Sequence, residues 1–184
     1  LTAAANESLW QDVQPGAIAA RGDRWVAPAT GRTVGLDMVG LQDLLQQAPM
    51  EGQTTTRASA AILSLPMPGG GFARFSLVES PVMEAGLAAK FPEIRTYLGQ
   101  GLDDGTATAR LDVTPHGFHA QVLASGMEAY IDPFQRNDAQ HYVVYTRADF
   151  GDARKTYQCG TDGADPHTEA GLAGLDLPGP RNPA

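Results

Sequence analysis

Side chains able to act as nucleophile, base or metal ligand are few in this chain: one cysteine, Cys159, and four histidines, His116, His119, His141 and His167. Cys159 lies in "RKTYQCGTDG", a polar, glycine-studded run where a buried core residue is not expected. Arg154 and Lys155 just upstream lower a thiol's pKa and favour the thiolate, the form that binds metal. Gly160 beside it removes bulk where the backbone must approach another surface. One thiolate cannot build a zinc site, but it can complete a site whose other three ligands lie elsewhere. The "HGFH" pair sits at a turn and strand start, where residues three apart tend to point to opposite faces, so His116 and His119 read as polar surface histidines.

Other constellations fail at the level of residue pattern. No His-Glu-x-x-His and no Gly-x-Ser-x-Gly occurs, which leaves a zinc or serine hydrolase without its machinery. The acids Asp103-Asp104, Glu79, Glu84 and Glu93 could form a glycosidase pair only if two faced one cleft. Turn chemistry in "LDDG" and helix capping or solvation by the glutamates explain them better. "PGGG" is no phosphate loop, because neither Lys-Ser/Thr nor a helix start follows it. The chain is therefore not expected to be an enzyme by itself, or to hold a cofactor of its own.

At 184 residues the chain suits one domain. Its 21 Gly and 13 Pro imply many turns. A net charge of −8 repels phosphate backbones and anionic lipid surfaces, so neither nucleic acid nor membrane is an expected partner. No apolar run approaches the roughly 20 residues that span a bilayer, and the first residue reads as a processed or trimmed end. A single cysteine excludes an intramolecular disulfide framework, and the isolated domain is expected to be monomeric.

The elements follow from periodicity. Residues 1–24 read as an arm with at most one short element. "TVGLDMVGLQDLLQQAP" reads as a strand passing into a helix capped by Asp37, with Met38, Leu41, Leu44 and Leu45 at helical spacing. Two strands, 62–65 and 72–78, flank the Pro68–Gly71 bend. Leu87, Phe91, Ile94 and Leu98 fall on a helical face that Pro92 splits in two, with Phe91, Ile94 and Tyr97 as buried anchors. Ala107, Ala109, Leu111 and Val113 alternate with polar residues as a half-buried strand, and "FHAQVLA", "MEAYID" and "HYVVYTRAD" continue a meander. The expected fold is α+β, a mostly antiparallel curved sheet or sandwich, with the helical segments 37–48 and 84–98 on one face or end. The globular part spans 25–150. Residues 151–184 have the composition of a linker.

The run from about Ala61 to Phe150, with its blocks "ESPVM", "FPEIRTY", "GFHAQV" and "YIDPF", resembles the N-terminal propeptide of secreted bacterial reprolysin-like (adamalysin-type, metzincin) zinc metallopeptidases. "YQCG" is similar to the Cys-Gly of a cysteine switch, although its flanks depart from the Pro-Arg-Cys-Gly-Val and Lys-Met-Cys-Gly-Val forms. The resemblance implies a secreted, inhibitory and folding-assisting prodomain whose partner is its own catalytic domain. Cys159, supported by Gly160, would ligate that domain's zinc in the latent form. A second expectation, of another class, is a β-sandwich module that binds a cell-surface polysaccharide or protein through exposed aromatics such as Tyr142 and Tyr145.

Overall fold

The computed structural model describes residues 6–136 and 138–150. The chain divides into two units, 1–151 and 152–184, and every described residue lies in the first. The fold is α+β and mostly antiparallel. Nine strands form one sheet in the order β1-β2-β9-β8-β7-β6-β5-β4-β3. They are β1 (Trp10–Asp12), β2 (Arg32–Leu36), β3 (Ile62–Pro66), β4 (Phe72–Glu79), β5 (Arg95–Gly101), β6 (Thr108–Thr114), β7 (Gly117–Ala124), β8 (Met127–Pro133) and β9 (His141–Thr146). From β3 to β9 each strand pairs with its successor, and β2 then adds to β9 and β1 to β2, always antiparallel.

The sheet curls until its two edge strands meet. Trp10 on β1 donates its indole N–H to the Ser64 carbonyl on β3 at 2.8 Å. Arg32 on β2 donates to the Gly71 carbonyl of the β3–β4 turn at 2.7 Å, and the Asn6 side chain donates to Ile62 O. Side-chain bonds thus close a near-barrel where the backbone ladder stops.

Alternation along the strands fills its interior. Leu63, Leu65, Phe75, Leu77, Tyr97, Ala109, Leu111, Phe118, Ala120, Val122, Ile131, Tyr142 and Val144 form one buried cluster, as period-two patterning demands of a sheet with one apolar face. The helix expected after Asp37 is α1, Met38–Leu45; the Asp37 carboxylate accepts from the amides of Val39 and Gly40, and Leu41 and Leu45 join the barrel core.

The segment read as an arm with room for one short element contributes β1, and its Trp10 is buried against Phe118 and Tyr142, at ring separations of 5.9 and 6.3 Å. One expectation is corrected. The helical face over 84–98 is not formed: only the single turn α2, Ala85–Ala88, is helical, and Arg95–Gly101 is β5. Of its expected anchors, Tyr97 is buried, Ile94 half-buried and Phe91 exposed.

A strap, residues 13–31, leaves β1 and crosses the outer surface of β8 and β9 before entering β2. Ile18 and Val26 pack there on Phe134, Val143 and Tyr145. The approach is close enough to need glycine twice. A Cβ at Gly22 would lie 2.8 Å from the Arg136 carbonyl oxygen, and one at Gly31 would lie 2.9 Å from Val143 Cγ2.

The strap is also tied through a buried carboxylate. Asp138, 2% exposed, accepts from Gln135 Nε2 at 3.1 Å and from Gln140 N at 3.0 Å, and lies 2.8 Å from His141 Nδ1. Gln135 in turn donates to Ala19 O and accepts from Arg21 N on the strap. Burial raises the Asp138 pKa, but these bonds to the ionised form outweigh it and hold the group below the usual carboxylate range. A depressed folded-state pKa contributes stability that is present above the unfolded value, about 3.9, and lost as pH falls through the folded one. Chemical denaturation at stepped pH should therefore show the wild type losing stability below about pH 4, with Asp138→Asn less stable at neutral pH and less sensitive over that acid window. Parallel curves for the two proteins would show that the carboxylate contributes nothing.

Candidate interaction site

The expected metal ligand, Cys159, and its neighbour Gly160 lie outside the described residues. Among the described residues no group of three His, Cys, Asp or Glu side chains is placed to hold a metal ion. The acids are dispersed into structural roles. Asp103 pairs with Arg74 at 2.5 Å, Asp104 accepts from the Thr106 amide at 2.8 Å as turn chemistry, and Glu84 caps α2 through Gly86 N. Glu79 pairs with Arg95, whose Nε lies 3.0 Å from its carboxylate.

The aromatics named for a binding module are not available on the surface. Tyr142 is 0% and Tyr145 4% exposed. Tyr142 points into the barrel, donates to Ala139 O at 2.9 Å and accepts from Phe118 N at 3.2 Å. Burial pushes its pKa up to about 12. Tyr145 lies under the strap and donates to Asp132 Oδ2 at 2.5 Å. Strand parity explains both, because each face of β9 is covered, one by the barrel core and the other by the strap.

Exposed apolar surface gathers instead on the connection between β4 and β5. The β6–β7 and β7–β8 links are two-residue turns, at 115–116 and 125–126, whereas this link runs over 80–94. A connection of that length within an otherwise tight meander commonly carries function. Eight large hydrophobic side chains are exposed among the described residues; Val82 (72%), Leu87 (44%) and Phe91 (43%) are on this link and Met50 (40%) lies beside it. Contiguous exposed apolar patches mark interaction surfaces, whereas scattered single side chains do not.

Of these four exposed side chains, Met50 and Val82 line a cleft of about 260 Å³ together with Pro81, Met83, Pro92 and Ile94, with Glu79 and Arg95 at its polar end. Local sequence builds it. Pro81 and Pro92 deny the link a continuous helix or strand, and Glu84 caps only one helical turn between them. The Met50–Glu79 bridge and the bonds from Glu51 N to Glu79 O and from Glu79 N to Pro49 O hold the far wall against the end of β4. The Glu79 hydrogen bond to Arg95 keeps the guanidinium firmly charged. The site thus offers a partner surface apolar side chains and one fixed ion pair.

The histidine pair is arranged differently from the expectation. His116 belongs to the β6–β7 turn, where strand parity does not apply, and its ring and that of His119 lie 5.7 and 5.6 Å from the ring of Trp25 on the strap. The only hint of this in the sequence is that Asp112 and His119 occupy the polar positions of adjacent alternating strands. No protein-family model matches the chain, and no curated protein or solved structure is detectably similar to it.

Proposed function

We propose that this chain is the inhibitory and folding-assisting prodomain of a secreted zinc metalloendopeptidase, docking on its catalytic domain and presenting Cys159 to the catalytic zinc. The observation that carries the reading is the apolar cleft of the 80–94 link. It is built by "ESPVM" and "FPEIRTY", two of the blocks on which the resemblance to reprolysin-like propeptides rests. A catalytic zinc keeps an open position for the water that it activates, and a thiolate there removes both the nucleophile and Lewis-acid access. Tethering multiplies a modest thiolate affinity by effective concentration, so severing the tail from the barrel would end latency.

The test is inhibition of the mature peptidase by the separately produced chain, with Cys159→Ala and Cys159→Ser alongside the wild type. Losing one of two linked contacts should weaken inhibition by about 10²-fold or more. Equal inhibition by all three would remove Cys159 from the mechanism, and no inhibition by the wild type would remove the prodomain reading altogether.

A further inference from the structure

We infer that the barrel end beside α1 carries a small-molecule site, which takes an uncharged carboxamide on an apolar ring, its carbonyl on the Tyr97 hydroxyl and its ring on Leu45 and Val113. The inference stands on the barrel itself and does not depend on the prodomain reading.

Strand register and helix spacing build the site. Arg95 and Tyr97 share one face of β5; Val113 and Leu111 are their partners on β6, and Glu79 is the partner of Tyr97 on β4. Tyr97 and Leu111 belong to the barrel core and Val113 packs against it, so this face is the interior and Arg95 stands at its end. Gln42, Leu45 and Gln46 fall at i, i+3 and i+4 along α1 and its C-cap, and so share one side of the helix. Between that side and the end of β5 lies a cleft of about 200 Å³, lined also by Glu93, Arg95, Tyr97 and Val113.

Tyr97 points to a ligand. Its side chain is 1% exposed, yet its hydroxyl has no hydrogen-bond partner among the described residues. Buried hydroxyls are normally paired, as those of Tyr142 and Tyr145 are in the same barrel. The charges of Arg95 and Glu79 act on the Tyr97 hydroxyl, which places it at the ion-pair end of the interior, where the cleft opens. Burial raises its pKa, so it stays a protonated donor at neutral pH.

The surrounding groups select the ligand. Glu79 engages Nε and Nη2 of Arg95 and neutralises the cation, while the exposed Glu93 carboxylate adds negative charge to the rim. An anion is therefore disfavoured, whereas a neutral carbonyl can accept from Tyr97. The amide N–H groups of the same head can donate to Glu93 or to the side-chain oxygens of Gln42 and Gln46. A cavity of about 150 Å³ holds a benzene ring, so this cleft has room for a ring and its head group.

Titration of the isotope-labelled full chain with benzamide, followed by NMR, tests the site. The backbone amides of Leu45, Tyr97 and Val113 should shift together and saturate in the millimolar range. Acetamide, which lacks the ring, should bind at least about tenfold more weakly, and benzoate about three- to fivefold more weakly. Tyr97→Phe keeps the ring in the core and should weaken benzamide binding about fivefold. Tyr130→Phe, on the strap side of the sheet, should leave it unchanged. The acetamide and benzoate comparisons use the wild type alone and hold whether or not Tyr97→Phe folds. No saturable shift at these amides, acetamide or benzoate binding as tightly as benzamide, undiminished binding by Tyr97→Phe, or an equal loss in Tyr130→Phe would each overturn the site.

Discussion

Replacing Trp10 by alanine should cost about 3–5 kcal/mol, a large share of the stability of a domain this size. The indole is 6% exposed and packs on Phe118 and Tyr142, so truncation leaves a cavity at the centre of the aromatic cluster. It also removes the bond to Ser64 O, through which β1 meets β3 across the seam. Strand β1 has only three residues, and its ladder to β2 is correspondingly short. Losing the Trp10 anchor should therefore free the segment before the strap and expose the β3 edge. Urea unfolding followed by circular dichroism should show the midpoint falling by about 2 M for a slope near 2 kcal/mol/M. Trp10→Phe separates the terms: it keeps most of the aromatic volume and loses the indole N–H, so about 1–3 kcal/mol of the cost should remain. An alanine variant within 1 kcal/mol of wild type would mean that the barrel closes without this side chain.

The elements that were legible in the sequence are those whose burial alternates through residues hydropathy can see. Ala109 and Leu111 point inward on β6 as their spacing demands, and Asp37 caps α1 as its place before the apolar repeat suggests. Strand β5 was hidden because two of its three inward positions are Gly99 and Gly101, which register as no hydrophobic signal. A Cβ at Gly99 would lie 3.1 Å from both Ala109 Cβ and Leu77 Cδ2, so a side chain there would need its neighbours to give by a few tenths of an ångström. The competing helical spacing of Leu87, Phe91, Ile94 and Leu98 was coincidental: Leu87 and Phe91 are exposed on the link, while Leu98 lies in the strand.

The role of Trp10 was illegible for a different reason. One large residue between polar neighbours has no period, and its partners Phe118, Tyr142 and Ser64 lie far away in sequence. The same distance hid the His119 cluster, since Trp25 reaches it only because the strap folds across the sheet. On the candidate surface, the blocks around Pro81 and Pro92 stood out in the sequence, but as helix entries and core anchors. Their exposure follows from chain direction at the ends of β4 and β5, which no local pattern encodes.

Val82→Asp combined with Phe91→Asp should weaken inhibition of the proposed partner peptidase about 10²-fold while leaving the barrel intact. Both side chains are exposed and outside the core, so their exchange should alter folding stability by no more than about 0.5 kcal/mol each. Their value lies in a partner's contact, where a charge on the cleft wall at Val82 and another on the same link at Phe91 must be desolvated without a counter-charge. In the proposed arrangement the barrel docks through the 80–94 link and the tail supplies a thiolate, two contacts joined by one chain. Either contact alone is then weak, and losing either costs the linkage advantage of roughly 10²–10⁴. The Asp pair and Cys159→Ala should therefore each be severe, and their combination should add much less than the product of the two. A cleft variant that inhibits like wild type, at unchanged stability, would show that the peptidase meets another face of the barrel. Full multiplicativity of the two losses would show that cleft and thiolate do not act as one linked pair.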